Sequence, residues 1–282
     1  HAFRGIDDVS FDADDDGRFD DSELVEARVD NSKGIETNGA YVVDAGGIRY
    51  EAARDKDVHV TVEERGPARV VIAAEGWYRR ADGVDGQLCK FLTRIYAYAG
   101  LPLVRVEHTT ILTYDSTMIQ LADVGVHFSV GDADAFRLGR DGRAVDGALP
   151  TPEQPPLSLH QYRANASRLV DGAHAEEGSR SDGWFTIARG PRASVTMFVR
   201  DFWQKFPKEM ELGRDGFTLH TWPKHGIDTF GDDELFAPTQ IYKLRYFEQG
   251  RFLDLMFPSR AYETLKELDR KRRGERDQTT KR

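Results

Sequence analysis

Apolar and polar residues alternate along most of this 282-residue chain, from about residue 24 to residue 258. The alternation is clearest in DVHVTVEE, where polar residues separate Val58, Val60 and Val62, and in DVGVHFSV, which begins at Asp123. A period of two places the apolar side chains on one face of an extended strand and the polar side chains on the other. The pattern therefore predicts an all-β chain built from half-buried strands.

Glycine and proline residues divide the alternating region into long strands joined by short turns. Strands of about ten residues or more favour broad antiparallel sheets over a compact immunoglobulin-like domain. The glycine- and proline-rich segment 139–157 is interpreted as a long loop between two sheets of one sandwich, with a domain boundary as the alternative. The strands are predicted at 68–79, 87–99, 102–115, 183–202, 216–222, 239–248 and 251–257.

The last part of the chain has a different composition, because helix-forming residues replace the alternation and a charged tail follows. We therefore divide the chain into a lead-in with an acidic loop at 1–23, a β-sandwich at 24–258, and a short helix with a charged tail at 259–282. Because the sequence begins with His1 rather than a methionine, we expect it to be a piece of a longer protein.

The composition limits the partners of the chain. Charged residues make up 31% of the sequence and hydrophobic residues 39%, as in soluble globular proteins, and the formal net charge is −9. A negative chain is a poor nucleic-acid binder, because phosphates are neutralised by a surplus of lysine and arginine. The charge is uneven, since residues 7–26 are acidic and residues 260–282 are basic. An anionic polymer can therefore still meet a locally positive surface.

Several common functional signatures are absent from the sequence. No apolar run is long enough to span a membrane, and no signal peptide, GxSxG motif, phosphate loop or zinc-type histidine spacing occurs. The single cysteine, Cys89, cannot form an intramolecular disulfide and is predicted to be a small buried apolar residue. His59, His108 and His127 lie in alternating segments and are interpreted as ordinary strand residues.

The acidic segment 12–23 matches the calcium-binding loop of an EF-hand at every diagnostic position. Hard oxygen ligands at this spacing suit a calcium ion, which we expect to have a structural role. No amphipathic helix precedes the loop, so a solvated acidic turn is the alternative. The predicted ligands are the side chains of Asp12, Asp14, Asp16, Asp20 and Glu23 and the main-chain carbonyl of Arg18, with Gly17 at the sharp turn.

Three of the four tryptophans, Trp184, Trp203 and Trp222, fall between residues 183 and 226, together with several cationic residues. Flat aromatic faces stack on sugar rings, while lysine, arginine and histidine pair with carboxylates or sulfates. The segment is therefore a candidate surface for an acidic polysaccharide. The alternative is a sheet core with a few aromatic residues at its margin.

Six segments of the chain have a residue order typical of a known family. They are VEERGPARVVIAAEGWY, FLTRIYAYAGLPLVRVEHT, GWFTIARG, VTMFVRDFWQKFPKEMEL, LHTWPKHG and YKLRYFEQG. These segments resemble the central β-sandwich of the rhamnogalacturonan exolyase-like family of polysaccharide lyases, to which ulvan lyases are related. The resemblance spans roughly residues 35–258 and implies a large antiparallel β-super-sandwich of the galactose-mutarotase-like type. It also implies an N-terminal barrel and an α/α toroid in the parent protein, for which we expect a secreted or periplasmic location.

Lyases of this family cleave at a uronic acid by β-elimination. The reaction needs a cation against the sugar carboxylate, a base for the α-proton and an acid for the leaving oxygen. The resemblance makes Lys208, in the motif F-P-K, and His225 the candidate catalytic residues. The candidate substrate-binding residues are Arg200, Trp203, Trp222 and Lys224.

Each candidate has a structural alternative. The stem of Lys208 can cover an aromatic surface, and His225 can be a polar loop residue. Arg200 can pair with the neighbouring Asp201, and the tryptophans can pack in a core or between domains.

The sequence as a whole predicts part of a polysaccharide lyase that acts on a uronic-acid-containing polysaccharide of the pectic rhamnogalacturonan or algal ulvan type. The sandwich is expected to form one wall of the substrate groove. A non-catalytic carbohydrate-binding β-sandwich module is the alternative, and a purely structural module is the third hypothesis.

The calcium-loop hypothesis predicts that chelation destabilises the protein. A ligand that binds only the folded state raises its stability, so EGTA should lower the melting temperature and added calcium should restore it. The substitution Asp12→Asn should abolish this response, because it weakens the ligand at the first loop position. A melting temperature of the unsubstituted protein that does not respond to EGTA would contradict the hypothesis.

Overall fold

The computed structural model describes residues 3–6, 9–10, 24–26, 38–44, 46–113, 121–130, 133–151, 153–190 and 193–223. Within these ranges the chain forms strands, turns and a 3-10 turn at Ala52–Arg54, which confirms the all-β class. In the described part of the chain, no helix is long and apolar enough to cross a membrane. The strands predicted after residue 238, the predicted C-terminal helix and the loop ligands Asp12, Asp14, Asp16, Arg18, Asp20 and Glu23 lie outside the described residues.

The described strands, numbered in chain order, form three antiparallel sheets. A two-stranded ribbon pairs β1 (Val9–Ser10) with β2 (Leu24–Glu26). The small sheet contains, in spatial order, β11 (Arg143–Ala148), β10 (Ala135–Arg140), β15 (Ser181–Arg189) and β16 (Ala193–Phe198). The large sheet has twelve strands, which are, in spatial order, β14 (His174–Gly178), β13 (Ala166–Asp171), β12 (Leu157–Arg163), β17 (Lys208–Gly213), β18 (Gly216–Trp222), β9 (Leu121–Ser129), β3 (Gly39–Asp44), β4 (Arg49–Glu51), β6 (Arg69–Arg80), β7 (Gln87–Tyr98) and β8 (Val104–Ile111), with β5 (His59–Arg65) paired to β6.

The small sheet packs face to face on one half of the large sheet. Leu138 and Phe185 of the small sheet meet Met210 and Phe217 of the large sheet, and all four side chains are 0% exposed. These residues occupy alternate positions in their strands, as the sequence pattern predicts. Burying a side chain of this size contributes about 1.5–3 kcal/mol, so the interface between the sheets is a main source of stability. The architecture is therefore the expected β-sandwich.

A second core cluster continues along the same face of the large sheet. Leu219 packs against the first cluster, and its cross-strand partner Val126 packs against the second, so the two clusters share one face. The second cluster includes Val42, Tyr78 and Phe91, all 0% exposed. Cys89 is also fully buried in it, as predicted. One face of the large sheet is thus apolar over much of its width.

The segment 139–157, expected to be a loop between sheets, also contains a hairpin. Strands β10 and β11 join through Asp141 and Gly142, whose φ angles are 54° and 70°. Asp-Gly favours this kind of two-residue turn, because both central residues need a positive φ. The remainder of the segment, 149–156, leads from the small sheet to the large one as expected.

Two further expectations about the strands are corrected. The single strand predicted at 183–202 consists mainly of two strands, β15 and β16, which pair as a hairpin. The alternation also does not predict β12–β14, between residues 157 and 178. The reason is their composition, because β14 has no buried residue and because polar residues, Gln161 and Ser167, occupy buried positions in β12 and β13.

The substitution Phe185→Ala should destabilise the protein by about 3–5 kcal/mol, because it removes a fully buried ring between the two sheets and leaves a cavity. The matched control is Phe198→Ala in the neighbouring strand, where the side chain is 71% exposed. Its effect should stay within about 0.5 kcal/mol. Chemical denaturation followed by circular dichroism measures both changes, and equal effects would contradict this description of the core.

Candidate functional site

The face of the large sheet opposite the core carries polar side chains on neighbouring strands. The register places Tyr41 opposite Gly125 and Gly125 opposite His220. Across the next two strands, Glu209 lies opposite both His220 and His160. This arrangement follows from the period of two, because cross-strand partners project from the same face. We call this surface the polar face, and its members are Tyr41, Asp123, Gly125, His127, His160, Glu209, Glu211, Thr218 and His220.

His220 lies at the centre of the polar face, between two carboxylates. Its Nδ1 is 2.9 Å from Asp123 Oδ1, and its Nε2 is 3.3 Å from Glu211 Oε2, within ion-pair distance. The hydroxyl of Tyr41 donates a hydrogen bond of 3.2 Å to Asp123 Oδ2 and lies 3.1 Å from His220 Nδ1. The side chain of His220 is 2% exposed and that of Asp123 is 7% exposed. A phenol and an imidazole therefore share one buried carboxylate.

The charge of His220 follows from these neighbours. Burial alone would lower the pKa of the imidazole, because a charged group loses its hydration. The hydrogen bonds and negative charges of Asp123 and Glu211 outweigh this effect and raise the pKa of His220 to about 10. The imidazole is therefore a cation at neutral pH.

The ring of Tyr41 is held on both sides. A Cβ atom at Gly125 would lie 2.5 Å from the Tyr41 hydroxyl, so only glycine leaves room for the phenol on β9. The guanidinium of Arg49 stacks over the ring at 3.6 Å from its centroid. Glu51 orients Arg49, because it accepts hydrogen bonds of 3.0 Å from Arg49 Nε and 3.1 Å from Arg54 Nε. The hydroxyl of Tyr41 is thus fixed in position.

Other histidines flank this centre. His127 Nδ1 lies 2.9 Å from Thr218 Oγ1, and the His127 side chain is buried. On the other flank, His160 is buried beside Tyr162, with ring centroids 5.8 Å apart. Glu209 is 1% exposed and accepts a short hydrogen bond from Ser158. Few sheet faces bury so many ionisable side chains, and such concentrations are typical of functional sites.

The arrangement can support proton transfer and electrostatic stabilisation. Tyr41 carries a proton that it can donate, and Asp123 links it to His220, so that a proton can move along three contacting groups. The guanidinium of Arg49, stacked over the Tyr41 ring, can stabilise negative charge that develops nearby, while His220 holds Asp123 in position. These are the properties that an acid–base site requires.

A second buried cluster lies on the apolar face. Tyr78 Oη is 2.6 Å from His108 Nε2, and Thr93 Oγ1 is 2.7 Å from His108 Nδ1. Burial lowers the pKa of His108 to about 4, and it raises the pKa of the adjacent Cys89 thiol to about 12. Both groups are therefore neutral at physiological pH. This cluster fits the interpretation of His108 as a strand residue.

Lys208 opens strand β17 and points away from the polar face. It is 7% exposed, and its Nζ donates hydrogen bonds of 2.6 Å to the carbonyl of Lys205 and 3.3 Å to that of Asp201. These bonds tie the start of β17 to the preceding loop. The contacts of Lys208 anchor that loop, and its catalytic role stays a prediction.

The other predicted site residues lie in different places. Arg200 is 88% exposed on its side chain and 3.7 Å from Asp201 Oδ2, the ion pair that the sequence left open as an alternative. Trp203 lies in the same loop, with Arg180 stacked 4.2 Å above its ring. Trp222 is 7% exposed in the second core cluster, the packing alternative. Lys224 and His225 lie outside the described residues.

Sequence reasoning did not single out the polar face. Its members occupy the polar positions of alternating strands, where solvent exposure is the ordinary expectation. The available signal was the presence of histidine and aspartate at alternate positions in DVGVHFSV and FTLHTW, on two strands that pair. Within the described ranges, no group of three or more histidine, cysteine, aspartate or glutamate residues has metal-binding geometry.

The raised pKa of His220 predicts a pH-dependent stability. The folded protein binds a proton that the unfolded chain releases above about pH 6.5, so the contribution is complete below pH 6.5 and lost as pH rises towards 10. The variant His220→Gln should lack this part of the decline. The matched control His174→Gln, at an exposed position of β14, should follow the unsubstituted protein. Urea denaturation at a series of pH values measures the difference, and parallel curves for the protein and His220→Gln would contradict the assignment.

The comparisons with known proteins concern the first half of the chain. Residues 13–137 match the family model described as the PcRGLX-like protein central beta sandwich domain. The matched region includes β3–β9 and, within the polar face, Tyr41, Asp123 and Gly125. A search of curated proteins found no match, and neither did a search of solved structures. Over residues 13–137 the chain is thus similar to the PcRGLX-like central beta sandwich domain, which confirms the resemblance read from the sequence.

Proposed function

We propose that this chain is the β-sandwich of a polysaccharide lyase that cleaves a uronic-acid-containing polysaccharide by β-elimination. The substrate class is the pectic rhamnogalacturonan or algal ulvan type, and the sandwich supplies one wall of the substrate groove. The observation that carries the proposal is the contact between Tyr41, Asp123 and His220 on the polar face. The family match over residues 13–137 supports it.

β-Elimination makes specific demands on such a site. A base removes the proton on the carbon next to the carboxylate, the carbon–oxygen bond at the β position breaks, and the leaving oxygen takes up a proton. We assign the proton donor for the leaving oxygen to Tyr41. Arg49, which stacks over the Tyr41 ring, supplies positive charge for the sugar carboxylate, whose electron density rises in the transition state. The charge of His220 is already balanced by Asp123 and Glu211, so His220 positions the Tyr41–Asp123 pair. Lys208 and His225 are the candidates that the sequence proposes for the base.

The proposal has a structural requirement. Tyr41 is 1% exposed and His220 is 2% exposed, so the polar face must open locally when the polysaccharide binds. Active sites often tighten or rearrange on substrate binding, so burial in the unbound state is compatible with a catalytic role. It also means that a variant must be tested for folding and for activity separately.

Several features of the parent protein belong to the same proposal. The remaining wall of the groove comes from an α/α toroid, and an N-terminal barrel precedes the sandwich. The protein is secreted or periplasmic, where plant or algal polysaccharides are encountered. A calcium ion in the loop formed by residues 12–23 braces the domain without taking part in the reaction.

The substitution Tyr41→Phe tests the proposal in the full-length lyase, because it removes one hydroxyl and keeps the ring under Arg49. The rate of unsaturated-uronate formation, followed by ultraviolet absorbance on rhamnogalacturonan and on ulvan, should fall by about 10²–10⁴-fold. The matched control is Tyr162→Phe, which removes a hydroxyl bonded to Glu177 at the far end of the same face. The control should retain full activity.

The outcomes separate the candidate functions. If the unsubstituted protein forms no unsaturated product on either polysaccharide but binds them, the non-catalytic carbohydrate-binding module is correct. If Tyr41→Phe lowers the melting temperature and leaves the rate per folded molecule unchanged, the polar face is structural and Tyr41 is not the acid.

A further inference from the structure

The outer face of the small sheet is a second surface with unusual side chains. Phe136, Leu138, Phe185 and Ile187 point towards the core, so the residues between them point outwards. Two adjacent rows result from the strand register. The aromatic row contains Gly139, Trp184 and Phe198, and the polar row contains Asp146, Arg137, Thr186 and Thr196.

The aromatic row presents two rings side by side. Trp184 and Phe198 are direct cross-strand partners in the hairpin of β15 and β16. The indole lies across Gly139 of the next strand, because a Cβ atom there would be 2.2 Å from Trp184 Nε1. Phe198 is 71% exposed, the highest exposure among the large hydrophobic side chains in the described residues. An indole supported on glycine beside an exposed phenyl ring forms a flat apolar platform.

The polar row offers hydrogen-bonding groups at regular intervals. Asp146 lies opposite Arg137, Arg137 lies opposite Thr186 on its other side, and Thr186 lies opposite Thr196. The two threonine hydroxyls are 2.8 Å apart and exposed. Neighbouring strands are about 4.8 Å apart, so the four side chains extend over about 14 Å. That length exceeds a single sugar ring.

The two charged residues of this row, Asp146 at one end and Arg137 beside it, are available to a ligand. No described residue forms a hydrogen bond or an ion pair with the side chains of Arg137 and Asp146, although they are cross-strand partners. Within the described residues, the indole N–H of Trp184 also has no hydrogen-bond acceptor. A shallow depression of about 450 Å³ lies over the row, and it is lined by Ala135, Phe136, Arg137, Asp146, Thr186 and Ala188. The small side chains of Ala135 and Ala188 leave the depression open beside the polar groups.

We propose that the outer face of the small sheet is a non-catalytic glycan-binding surface, separate from the polar face of the large sheet. Sugar rings stack on Trp184 and Phe198, and their hydroxyls bond to Arg137, Asp146 and the threonines of the adjacent row. A platform of flat apolar rings beside a line of polar groups matches the two kinds of surface on a pyranose ring, and within the described residues Arg137 and Asp146 have no side-chain partner to displace. The ligand is a polysaccharide chain, because the row is longer than one sugar.

The charges of the surface define the ligand further. The row carries one cation and one anion, so its net charge is zero and long-range attraction of a polyanion contributes little. Binding is therefore expected to depend on ring stacking and hydroxyl contacts rather than on uronate charge. This surface would accept neutral stretches of a polysaccharide, and its affinity would change little with salt.

Affinity electrophoresis of the full-length protein in gels that contain rhamnogalacturonan, ulvan or a neutral pectic galactan tests this proposal. Phe198→Ala should weaken binding about three- to tenfold, and the double variant Trp184→Ala with Phe198→Ala should weaken it further. The matched control is Leu103→Ala, a 50% exposed apolar residue in the turn between β7 and β8, which should bind as the unsubstituted protein does. Melting temperatures show whether each variant is folded.

The lyase assay on short soluble oligosaccharides separates this proposal from the proposed catalytic function. Phe198→Ala should cleave them at the unsubstituted rate, and Tyr41→Phe should lose cleavage while keeping its retardation in the gels. Retardation of the folded double variant equal to that of the unsubstituted protein would overturn the proposal. The same conclusion follows if Leu103→Ala weakens binding as much as Phe198→Ala does, or if no gel retards the unsubstituted protein.

Discussion

The packing of Leu138 and Phe185 against Met210 and Phe217 determines the character of every other surface of this domain. Each strand has only two faces, so burying one face between the sheets sends the alternate residues to the outside. The polar face of the large sheet and the aromatic row of the small sheet are both consequences of that choice. A shift of one residue in the register of a contributing strand would turn that strand's side chains to the opposite face and remove them from its surface.

Burying the ionisable side chains of the polar face costs free energy, so their charges must be paired closely with one another. Moving His220, Asp123 and Glu211 out of water carries a desolvation penalty, which only good geometry and complete pairing can offset. Pairing the imidazolium of His220 with two carboxylates offsets part of this penalty and leaves a proton shared among several groups. Such sites are rarely the most stable solution for a core, so their presence is better explained by chemistry than by stability.

The two proposed roles would use two different surfaces. The polar face holds buried ionisable groups with restricted geometry, which suits the proposed bond cleavage. The outer face of the small sheet has an exposed aromatic platform beside polar groups, which suits the proposed reversible binding of a chain. A lyase acting on a polymer benefits from both, because binding away from the groove raises the local concentration of substrate.

Alternation by itself determined the all-β class, the long strands β6 and β7 and the burial of Cys89, because a period of two depends only on local geometry. Residue order indicated the resemblance that the family model matches over residues 13–137. The Asp141-Gly142 hairpin could also be predicted from the sequence, since both residues favour a positive φ. Only the tertiary structure decided which polar residues meet. Tyr41, Asp123 and His220 are up to 179 positions apart, and their contact depends on the order of β3, β9 and β18 in the sheet. Pairing between distant strands depends on packing over the whole domain, so it cannot be predicted from a local sequence pattern.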